Sequence, residues 1–428
     1  MGKLLLEFGL FAAGLILFVT FCQVAKSIKR GEKLPAPLRL LTKVKLHYSL
    51  AGLLVGVLIP SALHGSSDAL IRFVLVFIGG WFGLVAGCGL DLRVLRRGAA
   101  LPLIFESVQS VLVAALALLI FYLSENFIEG LGNSISGPVL LVICGMVVLG
   151  GKSLHWFQPP RVSRDFARQG TWQGSLTAFW GVLLVGVGSF QLNATPVEAD
   201  YPFLAIGKVV ISDGVLGKLF WSLVLGGLIG LAGDLLTRDV EGHPLFYFML
   251  GLVLLGSGVA ASMGLEPVWV GMVSGLWLIN ATLQRLDIIG VLEGTSVSAQ
   301  SALLFVVGWL LGTGLMRYSI DWTVFFWVLL LLFFLRPLAR LLVLLIANRA
   351  WVGHEAKRAD RSARNWLIPD ELALVIAAGM SKVIPPSAGL AVLGSVLAGY
   401  VLLLLFGGKV ENLLNLLPAV ANRASGEG

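Results

Sequence analysis

The chain has 428 residues, of which 57% are hydrophobic and only 13% charged, and its mean hydropathy is +0.91. A soluble domain carries about 25% charged residues, so the composition excludes an ordinary soluble protein and predicts one that lies in lipid. Lys and Arg number 31 against 24 Asp and Glu, a net charge of +7. Cytoplasmic loops of a polytopic membrane protein explain that excess without a nucleic-acid partner.

A bilayer span needs about 20 mostly apolar residues, and on that template the chain is predicted to be an all-α polytopic membrane protein of about 13 spans in one domain, residues 1–428. In chain order the predicted spans are residues 4–24, 48–63, 69–90, 100–123, 138–157, 176–192, 219–236, 244–263, 268–281, 299–316, 322–346, 367–383 and 388–406. We expect the first to be retained as an anchor, because no small-x-small cleavage site precedes Lys26.

Basic residues between the spans predict the orientation. Residues 25–47 form a basic connector and residues 347–366 a basic loop, and the positive-inside rule places both in the cytoplasm. The loops after the third and fifth spans are basic too, so the loops after the first, third, fifth and eleventh spans all predict the same orientation. The N-terminus is then expected outside and the C-terminus in the cytoplasm. Residues 200–218 are predicted to be an amphipathic connector between two halves of the bundle.

Lys152 is an ionisable residue inside the fifth predicted span, in the run Gly150, Gly151, Lys152, Ser153. Intramembrane charges are costly and commonly functional, and paired glycines before a polar pair suit a broken transporter helix that coordinates an ion or a carboxylate. The alternative is that the span ends near Gly151 and Lys152 extends to the cytoplasmic interface.

Two further groups of polar residues are candidates for ion coupling. Asp370 and Glu371 follow a proline at the start of the twelfth predicted span, where they are either coupling carboxylates or the ordinary acidic start of a helix. Glu106 and Gln109 lie one helical turn apart in the fourth span and could face one polar cavity. An interfacial position is the alternative for Glu106.

Other polar and small residues are assigned roles in helix packing and not in ion coupling. Asp91 and Asp234 are interpreted as cytoplasmic-edge residues in salt bridges, and small-xxx-small spacings as helix-packing faces. Hydrogen bonds between helices are expected from Ser257, Ser262, Ser274 and Asn280. The small-xxx-small examples are Gly226 with Gly230 and Gly271 with Gly275, and the three cysteines read as apolar packing residues are Cys22, Cys88 and Cys144.

Motifs of soluble enzymes are absent from the sequence: it contains no Walker loop, HExxH, CxxC or GxSxG. We therefore predict that the protein is not an enzyme. We also expect neither a cofactor nor a metal centre.

Several segments together resemble the monovalent cation:proton antiporters. Residues 82–96 resemble the third-span signature of that family, with glycine, an apolar residue and Asp91 before a basic edge. The segment at residues 367–377 is similar to the twelfth span, with Glu371 on the acidic position. Further similar segments are residues 50–56, 254–267 and 273–276.

This resemblance implies an inverted-repeat transporter with two broken, crossing helices, here the fifth and twelfth spans, and a core that moves against a dimerising panel. The sequence departs from the family at the ion site. Residues 174–181 of the sixth span hold no carboxylate, residues 151–153 replace the usual threonine and aspartate, and residues 301–308 of the tenth span hold no Lys or Arg.

Three functions remain open after these departures. The first is a divergent antiporter of sodium or potassium against protons, coupled by Glu106 or Glu371. The second is a transporter of an anion or organic acid with Lys152 as counter-charge. The third is a degenerate scaffold that serves as a membrane subunit or sensor for an unidentified protein partner. In each case we expect a homodimer surrounded by lipid in a bacterial inner membrane.

Overall fold

The computed structural model describes residues 45–58, 64–93, 100–125, 135–149, 164–192, 214–238, 243–282, 284–335, 338, 342, 371–381 and 384–402. Every regular element in these ranges is helical. The helices are α1 (Leu46–Leu58), α2 (His64–Cys88), α3 (Ala100–Glu125), α4 (Gly137–Val148), α5 (Arg164–Leu192), α6 (Val215–Thr237), α7 (His243–Ser262), α8 (Pro267–Ala281), α9 (Arg285–Leu315), α10 (Trp322–Leu330), which continues as a π-helix over Leu331–Leu335, α11 (Glu371–Met380) and α12 (Pro386–Leu402).

Five helices of the described chain are long and apolar enough to cross a membrane: they contain Leu70–Cys88, Ser107–Ser124, Val215–Thr237, Pro244–Ser262 and Asp287–Leu315. The other apolar helical stretches are 10–17 residues long, and in α5 that stretch is Leu176–Leu192. Large apolar side chains on the outside of the bundle are exposed, such as Leu216 at 82% and Tyr122 at 68%. Such helices are compatible with a membrane protein, since lipid accepts an apolar surface that water does not.

The helix boundaries agree with the sequence in some places and differ in others. The predicted ninth span coincides with α8 to within one residue. The tenth was predicted over residues 299–316, but α9 begins at Arg285, because hydropathy detects the apolar part of a helix and misses its more polar first turns. Residues 215–218 of the predicted connector belong to α6. The first predicted span and the basic loop of residues 347–366 lie outside the described residues.

The backbones of α1 and α9 are in direct contact because glycines face each other. A Cβ atom on Gly52 would overlap the carbonyl oxygen of Phe305, and one on Gly308 would overlap that of Ser49. The same pattern repeats one turn further along both helices, so the two helices run parallel. Small residues permit this close approach, which strengthens helix association in lipid.

A second pair, α2 and α8, packs in the same way. Cβ atoms on Gly83 and Gly271 would overlap the carbonyl oxygens of Val268 and Gly80 respectively. Gly275 lies against α2 one turn further along, and Gly226 with Gly230 lies against α8 on α6. The interpretation of these spacings as helix-packing faces is confirmed.

Polar contacts join the ends of these helices. The Asn280 side chain donates to the carbonyl of Leu90 at 3.0 Å and accepts from the Leu92 amide at 2.8 Å, so its predicted bridging role is confirmed. Ser257, Ser262 and Ser274 instead donate to carbonyls one turn back in their own helices. The bridging prediction was wrong for these serines, because a helical hydroxyl reaches its own backbone most easily.

The interpretation of Asp91 and Asp234 as salt-bridged residues is confirmed. Asp91 pairs with Arg285 at 3.6 Å and Asp234 with Arg238 at 3.5 Å. Cys88 and Cys144 are buried among apolar residues, as packing residues would be, and Cys22 lies outside the described residues.

Two short helices, α4 and α11, pack against each other inside the bundle. They have 12 and 10 residues, which corresponds to about 18 and 15 Å of helix, roughly half of the hydrocarbon thickness of a bilayer, about 30 Å. Helix α4 ends at Val148, where Leu149 leaves the helical conformation with ψ 81°. The fifth span was predicted to continue to residue 157, and the described helix ends at Val148, two residues before Gly150.

We predict opposite effects of two glycine substitutions. Gly275→Ala should lower the stability of the purified protein by about 1–3 kcal/mol, because the new methyl group meets the Leu84 carbonyl. The control Gly258→Ala lies on an exposed part of α7 where a Cβ meets nothing within 4 Å. There helix propensity favours alanine by up to about 1 kcal/mol. Thermal unfolding in detergent measures both, and equal midpoints would contradict the close packing of α2 and α8.

Candidate functional site

Glu371 is an acidic residue buried inside the helix bundle. It is the first residue of α11, and only 7% of it is exposed. Its Oε1 atom accepts a hydrogen bond from Gln300 Nε2 at 2.7 Å, and the Tyr400 hydroxyl lies 3.4 Å from the same oxygen. An ionisable group in this position needs such partners, because an unpaired charge in a protein interior is strongly unfavourable.

Gln300 connects Glu371 to a cation. Its Nε2 atom also donates to the Tyr400 hydroxyl at 2.7 Å, while its Oε1 atom accepts from Lys45 Nζ. Lysine can only donate and an ionised carboxylate can only accept, so these neighbours determine which way the amide points. We call Lys45, Gln300, Glu371 and Tyr400 the Glu371 cluster.

The glycine contact between α1 and α9 positions half of this cluster. Lys45 directly precedes α1, four residues before Ser49, and Gln300 lies two turns before Gly308 on α9. Because α1 and α9 run parallel with Ser49 against Gly308, Lys45 reaches the level of Gln300. Lys45 has a left-handed backbone with φ 57°, an uncommon conformation for a residue with a side chain that typically costs about 1–3 kcal/mol.

Glu371 was interpreted from the sequence either as a coupling carboxylate or as the acidic start of a helix, and each interpretation describes part of its position. It does begin a helix, as an acidic residue at a helix N-terminus would. It is also buried against side chains of α9 and α12, which a solvent-exposed capping residue would not be. Asp370, its predicted companion, lies outside the described residues.

Gln109 is fully buried in α3, with 0% exposure. Neither its Nε2 nor its Oε1 atom has a hydrogen-bond partner among the described residues, and a buried unpaired amide costs about 1–3 kcal/mol. Glu106 lies in the same helix one turn earlier, but its side chain is outside the described part. The structure therefore places Gln109 in the interior and leaves the predicted shared cavity with Glu106 as a prediction.

The remaining predicted site residues, Gly150, Gly151, Lys152 and Ser153, lie outside the described residues. In the sequence they follow Leu149, the residue after α4. Within the described part of the chain, no group of three or more His, Cys, Asp or Glu side chains is arranged to hold a metal ion.

Three members of the cluster were missed by the sequence analysis. Lys45 lies in the predicted basic connector, and Gln300 and Tyr400 lie in the tenth and thirteenth predicted spans without having been singled out there. The available signal was that an amide and a phenol within apolar segments need hydrogen-bond partners. Nothing in the sequence indicated that residues so far apart in the chain share one site.

No protein-family model matches the chain, and no curated protein matches it either. We therefore infer function from the geometry of the Glu371 cluster and from the arrangement of the helices around it.

The cluster predicts a ranking of two substitutions by their cost. Gln300→Leu should destabilise the protein by about 3 kcal/mol or more. It removes the hydrogen bond that Lys45 donates and the hydrogen bond that Glu371 accepts. Tyr400→Phe removes one hydroxyl and should cost about 1 kcal/mol. Thermal unfolding of the purified variants measures both, and a Gln300→Leu variant as stable as Tyr400→Phe would argue against the bridging amide.

Proposed function

We propose that the protein is a secondary transporter of a bacterial inner membrane that exchanges a monovalent cation for protons, with Glu371 as the coupling acid. The burial of Glu371 against Gln300 and Tyr400, with Lys45 bonded to the other end of the Gln300 amide, is the observation that carries this proposal. Ionisable residues retained inside membrane proteins commonly mark ion and proton pathways.

The chemistry of the cluster suits alternating occupancy of one acid. An ionised Glu371 accepts hydrogen bonds from Gln300 and Tyr400, and a proton or a cation binding to the carboxylate competes for the same oxygens. Lys45 lies on the far side of the Gln300 amide, where it offsets part of the negative charge between binding events. A cation or proton bound to Glu371 would thereby alter contacts between α9, α11 and α12.

The helix packing supports an inverted repeat of two halves. Of the predicted spans, α1 and α9 correspond to the second and tenth, and α2 and α8 to the third and ninth. An inverted repeat would relate the second span to the ninth and the third span to the tenth. It would therefore relate the glycine-packed pair α1–α9 to the pair α8–α2. Both pairs are parallel, as the alternating topology of the predicted spans requires.

The short helices α4 and α11 support two broken, crossing spans in the same scheme. They belong to the fifth and twelfth predicted spans, which the same repeat would relate to each other. They pack together, α4 stops before a pair of glycines, and α11 is followed within a few residues by the separate helix α12. Such half-helices place ends of helices and free backbone groups near the bilayer midplane, where transporters bind ions.

The second candidate function is a non-transporting scaffold that acts as a membrane subunit or sensor. The observation in its favour comes from α5. Residues 174–181, which correspond to the ion site of the antiporters, include the buried Thr177 and Ala178 and contain no carboxylate. A cation site without that acid offers less charge to offset ion dehydration. Anion transport with Lys152 as counter-charge rests on the sequence alone.

Transport in proteoliposomes tests the proposal. With an imposed pH gradient and a pH-sensitive dye inside, sodium or potassium should dissipate the gradient, and Glu371→Gln should reduce the rate at least about tenfold, since an amide cannot carry the proton.

Asp321→Asn is the matched control for that assay. Asp321 caps α10 by accepting from the amides of Thr323 and Val324 at 3.1 and 3.2 Å, and asparagine preserves capping, so its transport rate should equal that of the unchanged protein. Folded protein that responds to no cation would favour the scaffold. A response to anions alone would favour anion transport with Lys152. Unchanged transport by Glu371→Gln would remove Glu371 from the coupling role.

A further inference from the structure

A cavity of about 160 Å³ lies between α2, α5, the start of α8 and α11. Its walls are mostly aliphatic, and the side chains with polar atoms among its lining residues are Glu266 and Ser189. The aliphatic walls include Leu75, Val185, Val268, Val375, Ile376 and Met380. An engineered apolar cavity of similar volume, about 150 Å³, holds benzene, so the space suits a ligand of a few carbon atoms.

Glu266 is the acid of this cavity, and its carboxylate is not used by the helix that follows. It directly precedes α8, outside the predicted spans, and makes no side-chain hydrogen bond to the amides of that helix. Burial raises the pKa of Glu266 to about 7, and the neighbouring Ser189 side chain opposes part of that rise. The Ser189 hydroxyl itself donates to the Gly186 carbonyl at 3.1 Å. The residue as a whole is half-buried, while its carboxyl group lies in the cavity wall.

Among the described residues, no charged side chain of the surrounding helices forms an ion pair with Glu266. The nearest cation along α6, Lys218, donates to the carbonyl of Phe190, the residue after Ser189, at 3.5 Å. Arg72 of α2 is exposed and does not line the cavity. Glu371 of α11 belongs to the other cluster, where it is bonded to Gln300, and α8 has no charged residue. On α5, the lining residues Val185, Ser189 and Leu192 carry no charge. Glu266 therefore has space beside it for a positively charged partner.

The cavity chemistry discriminates between kinds of cation. A sodium, potassium or calcium ion needs several oxygen ligands to replace its hydration shell, whereas the side chains here offer one carboxylate and one hydroxyl. An alkylammonium ion needs fewer oxygens, because its alkyl group leaves water on contact with apolar walls, a gain of about 0.8 kcal/mol for each buried CH₂. Its ammonium group can form a charge-assisted hydrogen bond with a carboxylate.

We propose that the Glu266 cavity is a binding site for a small alkylammonium ion, with the ammonium group on Glu266 and the alkyl group against α2 and α11. When the cation binds to the protonated form of Glu266, the carboxyl group releases its proton to solvent and the ammonium takes its place. The site does not depend on the proposed antiport, because Glu371 is not among its ligands.

The direction of the pH dependence follows from this exchange. Below pH of about 7, where Glu266 holds its proton, the cation must displace that proton, so affinity should fall by about tenfold for each pH unit further down. Above that pH the carboxylate is already ionised, and affinity should become independent of pH.

Isothermal titration of the purified full-length protein in detergent with n-propylammonium chloride tests the site. We expect saturable binding at pH 8, about a tenfold or greater loss at pH 6 and below, and proton release that appears as a dependence of the measured heat on the buffer. Glu266→Gln should weaken binding about tenfold or more, equivalent to about 1.4 kcal/mol. Asp287→Asn removes an exposed acid of α9 and should leave the affinity unchanged.

Ligand controls on the unchanged protein keep the test independent of how the variants fold. n-Propanol has the same alkyl length without the charge and should bind at least tenfold more weakly, while methylammonium should bind more weakly than n-propylammonium because it fills less of the cavity. Equal binding of propanol and propylammonium would overturn the role of Glu266. Absence of binding to folded protein, or unaltered affinity in a folded Glu266→Gln variant, would overturn the site. Since the readout is binding, failure of antiport leaves it unaffected.

Discussion

The close approach of parallel helix backbones, α1 to α9 and α2 to α8, is the constraint on which the rest of the structure depends. In lipid, apolar side chains gain little by leaving the surroundings, so helices associate through packing and polar contacts. Glycine permits carbonyl groups of one helix to touch the backbone of the next. Each pair joins a helix from the first part of the sequence to one from the second part, so these contacts also hold distant parts of the chain together.

The Glu371 cluster depends on the first of these contacts. Lys45 and Gln300 meet because α1 and α9 run side by side, and Gln300 then presents its amide nitrogen to α11 and α12. A buried polar network is favourable only when its members satisfy one another. The amide of Gln300 does this for a lysine, a carboxylate and a phenol, which makes it the residue whose loss affects the largest number of partners.

Helix α11 takes part in two sites of different chemistry. Its first residue, Glu371, lies among an amide and a phenol, whereas Val375, Ile376 and Met380 on the same helix line an aliphatic cavity that contains Glu266. Two carboxyl groups in contrasting surroundings are suited to separate tasks.

The amino-acid sequence determined by itself that the protein is helical and apolar, where most of its helices lie, and that Glu371 stands at a helix start within an apolar region. These follow from local composition, because hydropathy and helix-start signals extend over a few turns. Only the tertiary structure decided that α9 begins at Arg285 and that Gln109 is buried. It also decided that Gln300 and Tyr400 contact Glu371 while Lys45 bonds to Gln300. Contacts between side chains far apart in the chain depend on how helices cross, and a crossing is set by the surfaces of two helices together, which neither segment specifies alone.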